Sequence, residues 1–330
     1  MKRVFLLLSY ALLVAACGES TIEQTESFKT THAVDTTALR TVTEQALVGA
    51  LEKDVQRGHV MVMDVSTGHL ILDQCIEMCD GTFQSVAVRD TFIEPAALLA
   101  VPILATLFDD PTVELDTAML FQVWRQTYLD GSLYIKDISR CSVWRDSLPL
   151  HTAFANSSVV ARCEVCDKYY SYCPDSLMTR IYRLFPNAKA NVFTGPTDFY
   201  RLCTGYGIRL SPSDILSFYT AIAAGGVDPT TGRRLCMDST ADVLKSLLCE
   251  VVEQGTARNI HTDAYLIAGN SAMVSNIVLY KQHTSMFVGF FPADKPKFSC
   301  LVILEGHTYP QSAAKVFKTI SDYLYQNNQN

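Results

Sequence analysis

The sequence lacks any concentrated stretch of basic residues, and its charge balance is acidic. It has 27 Lys and Arg residues against 34 Asp and Glu residues, which gives a formal net charge of −7 at pH 7. Nucleic-acid phosphates are bound by clustered basic side chains, so this composition argues against nucleic acid as a partner. Internal repeats are also lacking. Because 48% of the 330 residues are apolar, we expect a globular protein of one large or two small domains.

A hydrophobic run long enough to span a bilayer is missing too. The nearest candidate is residues 4–14, which follow Lys2 and Arg3 and precede small residues leading to Cys17. A transmembrane helix needs about 20 apolar residues, whereas a short apolar run after a basic start is typical of a secretory signal. We predict a lipoprotein signal peptide over residues 1–17, with Cys17 as the lipidated residue of a bacterial lipobox. The alternative is an ordinary secretory signal in which this cysteine is incidental.

Lipidation would determine where the protein is located. Acyl chains on Cys17 would anchor it to a membrane, so we predict a cell-envelope location facing the periplasm or the exterior. Residues 18–35 are rich in Ser, Thr and Glu without apolar periodicity, which predicts a flexible tether. Residues 36–330 then form the folded domain.

Cysteine, by contrast, is plentiful, with 11 residues. An exported protein meets an oxidising compartment, so disulfides are expected, foremost in the clusters Cys75/Cys79 and Cys163/Cys166/Cys173. A zinc site is a weaker alternative, because the spacings match no common ligand pattern and no histidine lies between these cysteines. We predict no resident metal and no cofactor.

Hydrophobic periodicity predicts the organisation of the N-terminal half. Apolar residues recur at helical intervals over residues 36–56, and Gly58 is expected to end that helix. Residues 59–73 alternate about the segment 64–68, which predicts two antiparallel strands and a tight turn. Residues 94–108 are almost wholly apolar, which predicts a helix buried within the domain, with Pro102 kinking it or shifting its start.

The C-terminal half gives similarly clear patterns. Ser211 and Pro212 predict the start of a helix that glycines 225 and 226 close. Residues 266–304 alternate, with a turn at 292–296, and residues 313–325 predict a final helix. The fold class that follows is α+β, with an antiparallel sheet built from N- and C-terminal segments and a helical subdomain between them.

Several motifs in fixed order resemble the penicillin-binding protein transpeptidase domain, which shares its fold with serine β-lactamases. The resemblance covers about residues 38–325 and implies D,D-transpeptidase chemistry on the peptide stems of peptidoglycan. The motifs are residues 58–68, Glu94-Pro95, Gly205-Tyr206-Gly207-Ile208 with residues 225–227, residues 255–258 with Ala268-Gly269, and residues 287–294.

The resemblance also implies a catalytic serine and lysine three residues apart after Glu94-Pro95. These positions fall on Ala97 and Ala100. A hydroxyl and an amine at i and i+3 share one helical face, so a neutral lysine can take the proton of the serine. Two methyl groups cannot do so, and we expect no acyl-enzyme at this position.

The other two family motifs depart from the pattern as well. The Ser-x-Asn motif falls on Ser157 and Val159, and a shift of the alignment would place Asn156 there instead. The Lys-Thr-Gly motif falls on Asn270, Ser271 and Ala272, in which only Ser271 keeps a matching hydroxyl. Losing a charged contact to a carboxylate costs about 2–5 kcal/mol, so we expect weak and noncovalent penicillin recognition.

A replacement catalyst would need both a nucleophile and a base. Ser157, Ser271 and the cysteines are nucleophile candidates, and His151 or His261 could serve as the base. Their spacing in the sequence does not predict that a nucleophile and a base lie close together. We therefore interpret these residues as polar groups that line a cleft without catalysing a reaction.

Three functions are consistent with the sequence. The first is an inactive transpeptidase-like lipoprotein that binds or scaffolds at the cell envelope, with a peptidoglycan stem peptide or a cell-wall synthesis protein as its partner. The second is an active transpeptidase, carboxypeptidase or β-lactamase whose catalytic groups are misaligned. The third is a metal or redox envelope protein that uses the cysteine clusters.

Overall fold

The computed structural model describes residues 34–50, 55–89, 91–129, 131–137, 146–190, 195–275, 283–306 and 311–328. The predicted signal peptide, Cys17 and nearly all of the predicted tether lie outside these ranges.

The described strands and helices are numbered here in chain order. The strands are β1 (Val55–Asp64), β2 (Leu70–Cys79), β3 (Thr82–Val86), β4 (Leu120–Gln122), β5 (Arg125–Tyr128), β6 (Leu133–Lys136), β7 (Ser147–Pro149), β8 (Lys189–Ala190), β9 (Ile208–Arg209), β10 (Ala268–Ser275), β11 (His283–Phe291) and β12 (Phe298–Gly306). The helices are α1 (Thr36–Ala50), α2 (Ala100–Phe108), α3 (Leu150–Ala155), α4 (Val159–Tyr170), α5 (Pro174–Leu184), α6 (Pro196–Cys203), α7 (Pro212–Ala223), α8 (Asp238–Glu253) and α9 (Ser312–Asn327), with 3₁₀ turns at Ala96–Leu99 and Arg258–Ile260.

One six-stranded sheet joins the two ends of the domain. Its strand order is β10-β11-β12-β1-β2-β3, and each neighbouring pair is antiparallel. Strands β1 and β12 pair centrally, with Val60 opposite Val302. Helices α2 to α8 and short two-stranded pairs come between β3 and β10 in the chain. The α+β architecture predicted from the sequence is therefore confirmed.

Helices cover both faces of the sheet. On one face, Phe317 of α9 packs edge-on against Phe287 and Phe291 of β11. On the other face, the Thr220 hydroxyl of α7 lies 2.6 Å from the Ser299 hydroxyl of β12. Strands β11 and β12 are buried along most of their length for this reason. Among the described helices none is both long enough and apolar enough to cross a membrane.

The first helix is shorter than predicted. Helix α1 ends at Ala50 and β1 begins at Val55, so Gly58 is a strand residue and not a helix terminator. A Cβ atom added at this glycine would lie 2.7 Å from Leu47 Cδ2. Glycine therefore lets α1 approach the sheet closely, which is a tertiary constraint that helical periodicity does not contain.

The predicted hairpin is confirmed. Strands β1 and β2 are joined through a turn in which Asp64 Oδ1 accepts hydrogen bonds from the Thr67 amide at 2.8 Å and the Ser66 hydroxyl at 2.6 Å. Gly68 completes the turn with a φ of +69°, a conformation that glycine adopts at little cost.

The predicted buried helix is also confirmed, with its start shifted. A 3₁₀ turn over Ala96–Leu99 leads into α2, and Pro102 is the third residue of that helix. Because Pro102 has no N–H, the Leu98 carbonyl four residues earlier lacks its helical donor. The buried Tyr219 hydroxyl of α7 donates to that carbonyl at 3.2 Å instead. Proline is thus accommodated without a break in the hydrogen bonding.

Candidate functional site

The 3₁₀ turn before α2 forms the floor of the site, and a glycine loop holds its backbone. Ala96 has a φ of +46°, and its amide donates to the Gly205 carbonyl at 3.0 Å. A Cβ atom at Gly205 would lie 1.9 Å from the Ala96 carbonyl oxygen, so only glycine permits this approach. The Gly207 amide in the same loop donates to Glu94 Oε1 at 3.3 Å. Two of the family-like motifs therefore meet here.

The edge strand β10 supplies the second wall. Asn270 is only 3% exposed, and its Nδ2 donates to the Ala97 carbonyl at 3.2 Å. The same nitrogen lies 3.5 Å from the Tyr219 hydroxyl. Asn270 therefore ties the edge strand to the 3₁₀ turn by neutral hydrogen bonds, in a position where the family resemblance implies a lysine.

The start of α4 forms the third wall. The buried Asp137 carboxylate accepts hydrogen bonds from the amides of Val159 at 2.7 Å and Val160 at 3.1 Å. It also accepts one from the Ser158 hydroxyl at 2.8 Å. A carboxylate is favoured at a helix N-terminus, where amide groups lack intrahelical partners. Ser157 precedes this cap with a φ of +55°.

These walls enclose a small cavity of about 30 Å³. Its described lining is Ala97, Ala100, Ile103, Leu104, Leu150, Phe154, Ser157, Ser158, Ala161, Arg162, Val165 and Asn270. The structure thus brings together four of the predicted site positions, namely Ala97, Ala100, Ser157 and Asn270. Two of them contribute only methyl groups.

The remaining predicted positions do not belong to this lining. The Val159 side chain is half-buried outside it, and Asn156 donates to the Thr152 carbonyl at 2.9 Å. The Ser271 hydroxyl lies 3.0 Å from the Thr256 hydroxyl, and Ala272 is buried. Neighbouring strand residues point to opposite faces, so Ser271 and Asn270 diverge.

A general base is lacking from the described lining of the cavity, which contains no carboxylate, imidazole, amine or thiol. His151 pairs instead with Glu250 at 2.9 Å. His261 is exposed and lies 3.5 Å from Asp263. The structure therefore brings neither candidate base to Ser157.

The nine described cysteines are free thiols, so the two clusters form no disulfide within the described residues. Cys75 and Cys79 lie four residues apart on β2, about 13 Å at 3.3 Å per residue, which is too far for a bridge. Burial raises the pKa of the Cys163 thiol well above its ordinary value, which makes it unreactive. Across the described part of the chain, no three His, Cys, Asp or Glu residues are placed to hold a metal ion.

Sequence reasoning missed two residues of the site. Asp137 lies far from α4 in the sequence, and no local signal marks it as the cap of that helix. Arg162 lies four residues after Ser158 and therefore on the same helical face, so the Ser157-Ser158 motif contains the signal needed to find it. Arg162 is the charged residue of the described cavity lining.

Comparison with known proteins identifies similar sequences and folds. The family profile of the penicillin-binding protein transpeptidase domain matches residues 186–322. The probable peptidoglycan D,D-transpeptidase PenA of Neisseria gonorrhoeae is 22% identical over 306 residues, covering 82% of this chain and 51% of PenA. The peptidoglycan D,D-transpeptidase MrdA of Acinetobacter baumannii is 34% identical over 93 residues, covering 24% of this chain and 14% of MrdA. The chain thus spans about half the length, or less, of these curated relatives.

Solved structures give the fold. The transpeptidase domain of penicillin-binding protein 3 from Burkholderia pseudomallei has a TM-score of 0.72 at 22% identity, covering 89% of this chain and 95% of that one. A peptidoglycan glycosyltransferase from Burkholderia ambifaria has a TM-score of 0.72 at 19% identity, covering 89% and 96%. This chain therefore carries a domain of the penicillin-binding transpeptidase fold.

Proposed function

We propose that this protein is a catalytically inactive, penicillin-binding transpeptidase-like lipoprotein of the cell envelope. It binds or scaffolds in the context of peptidoglycan, with a stem peptide or a cell-wall synthesis protein as its partner. The observation that carries the proposal is the pair of methyl groups, Ala97 and Ala100, lining the cavity at the start of α2.

The chemistry of the cavity supports inactivity. Acyl transfer requires a nucleophile and a base within hydrogen-bond reach. The hydroxyls of the described lining belong to Ser157 and Ser158, and that of Ser158 already donates to Asp137. Ser157 has no base beside it in the described lining. The close contact of Gly205 with Ala96 is present although alanines occupy the positions of the implied catalytic pair.

A denaturing gel after incubation with a fluorescent penicillin tests inactivity. We expect no covalently labelled band, while an active transpeptidase in the same gel labels fully. A band that survives denaturation and disappears in Ser157→Ala would establish a relocated nucleophile and overturn the proposal.

Retention on purified muropeptides tests the ligand. We expect reversible binding that weakens in Ser271→Ala, because this hydroxyl is the matching group left in the third motif. Ser246→Ala on the exposed face of α8 is the matched control. Absence of any retention would exclude the stem peptide and leave a protein partner.

The anchor is a separate part of the proposal and rests on the lipobox pattern before Cys17. We expect the full-length chain in the membrane fraction, and Cys17→Ser in the soluble or secreted fraction. Equal distribution of both proteins would exclude lipidation at this residue.

A further inference from the structure

Arg162 is a cation in the cavity whose partner is unaccounted for. It is the fourth residue of α4 and the charged residue of the described cavity lining. A positive charge near a helix N-terminus opposes the helix dipole. The stability of α4 therefore does not explain why arginine occupies this position.

The hydrogen-bond donors of Arg162 are mostly unused. A guanidinium carries five N–H donors, and Nη2 of Arg162 donates to the Thr204 carbonyl at a long 3.4 Å. Its Nε is buried and has no acceptor among the described residues. No ion pair within 4.0 Å is formed by Arg162 in the described ranges. A buried donor without an acceptor is costly and is a reason to look for a ligand.

The neighbouring polar groups of the described lining do not bond to this guanidinium. The Asp137 carboxylate at the same end of α4 is occupied by the Ser158 hydroxyl and by backbone amides. Asn270 directs its Nδ2 to the Ala97 carbonyl and the Tyr219 hydroxyl. Within the described lining, the Ser157 hydroxyl is therefore the polar group that remains available to bind a ligand together with the guanidinium.

The shape of the cavity selects the kind of anion. Its volume of about 30 Å³ gives room for about two water-sized groups, which suits the two oxygens of a carboxylate better than a tetrahedral phosphoryl group. The planar fork of arginine matches a carboxylate with two parallel hydrogen bonds. Apolar walls from Ile103, Leu104 and Phe154 exclude water and strengthen the attraction.

We propose that this cavity binds the terminal carboxylate of a small ligand, with Arg162 as its anchor and Ser157 as a second donor. The inference rests on the proposed function for the identity of the ligand as a peptide. The cation comes from α4 and not from α2 or β10, where the family resemblance implies lysines. Arg162 would therefore determine specificity for a free carboxylate over an amide.

N-acetylglycine is the probe, and its neutral methylamide is the matched ligand control. Binding is measured on the full chain by calorimetry and by the rise in melting temperature, at constant ionic strength. We expect saturable binding of the carboxylate only, weakened at least tenfold in Arg162→Met. Arg162→Lys should bind with intermediate affinity, because it keeps the charge and loses the fork. Arg40→Met on the exposed surface of α1 should bind as the original chain does.

Three results would overturn the inference: no saturable binding of N-acetylglycine, equal binding of the methylamide, or unchanged affinity in Arg162→Met. If Arg162→Met does not fold, as judged by circular dichroism, Arg162→Lys and Arg162→Gln carry the same comparison. The muropeptide test separates the two proposals. Retention of muropeptides that is unaffected by Arg162→Met would reject this inference alone, whereas Arg162-dependent probe binding without muropeptide retention would reject the stem-peptide ligand alone.

Discussion

At the scale of single residues, Ala96 is held in a backbone conformation that alanine disfavours. Its φ of +46° lies in the left-handed region, which costs a residue with a Cβ atom about 1–2 kcal/mol. The hydrogen bond to the Gly205 carbonyl and the packing of that loop maintain this conformation. The turn before α2 therefore stores strain that its neighbours offset.

Relieving that strain should stabilise the protein. We expect Ala96→Gly to raise the free energy of unfolding by about 1 kcal/mol or less, since glycine adopts this φ freely but loses more entropy on folding. Urea denaturation measures the change. Ala97→Gly in the same turn is the control and should destabilise by about 0.5–1 kcal/mol. A loss of stability in Ala96→Gly would contradict this account.

Asn270 is the second residue whose role is structural. Removing its amide in Asn270→Ala leaves the Ala97 carbonyl without this donor and should lower the free energy of unfolding by about 1–3 kcal/mol. Ser271→Ala, which removes a half-buried hydroxyl next to it, should cost about 1 kcal/mol or less. Denaturation of both variants tests the contrast, and equal losses would show that the Asn270 amide does not support the turn.

At the scale of secondary-structure elements, the turn between β1 and β2 depends on an ionised carboxylate. Burial raises the pKa of Asp64, but hydrogen bonds from Ser66 and Thr67 outweigh this effect and lower the pKa below its ordinary value. The folded state therefore binds the proton of Asp64 less tightly than the unfolded state. This contribution to stability is present above the unfolded pKa of about 3.9 and is lost as the pH falls through the lower folded pKa.

The corresponding prediction concerns pH. We expect Asp64→Asn to lower the free energy of unfolding by about 1 kcal/mol at pH 7, and the difference from the original chain to shrink as the pH falls below about 4. Denaturation curves across this range test it. Asp80→Asn, in the exposed turn after β2, is the matched control and should show little difference. A difference for Asp64→Asn that is constant with pH would show that charge is not involved.

Sequence patterns predicted the type of the elements near both ends of the domain and of α2 and α7, but not of the elements between about residues 110 and 200. The ends of the predicted elements depended on contacts. The capping serine and the proline that follows it fixed the start of α7 at Pro212, where the Ser211 hydroxyl accepts from the Asp214 amide at 3.0 Å. Helix α1 has no such local signal at its C-terminal end, and its predicted end was wrong. A hydrogen bond between neighbouring residues can be predicted from the local sequence. The packing of Leu47 on Gly58 joins a helix to a strand, so the local sequence does not reveal it.

At the scale of the whole molecule, α2, α4 and β10 meet at one small cavity beside position 100. Position 100 is only 8% exposed and faces a cavity of about 30 Å³. A lysine there would add volume and a second positive charge beside Arg162, and both are unfavourable in a packed, apolar setting. Introducing the serine and lysine that the family resemblance implies should therefore not produce a catalytic site.

The double substitution Ala97→Ser and Ala100→Lys tests this expectation. We expect no more covalent penicillin labelling than in Ala97→Ser alone, and a loss of about 1–3 kcal/mol in the free energy of unfolding. Gel fluorescence and urea denaturation measure the two effects. Strong labelling of the double variant would show instead that Ala97 and Ala100 are the main barrier to catalysis.

The sequence alone determined the α+β fold class, the hairpin and the buried helix. These features depend on periodicity, turn chemistry and motif order, all of which are local or collinear along the chain. Only the tertiary structure decided which predicted site positions share one cavity, that Asn270 binds the Ala97 carbonyl, and that Arg162 supplies the charge. Those relations join residues as far apart as α2, α4 and β10, and close packing between distant segments carries no signature in the local pattern.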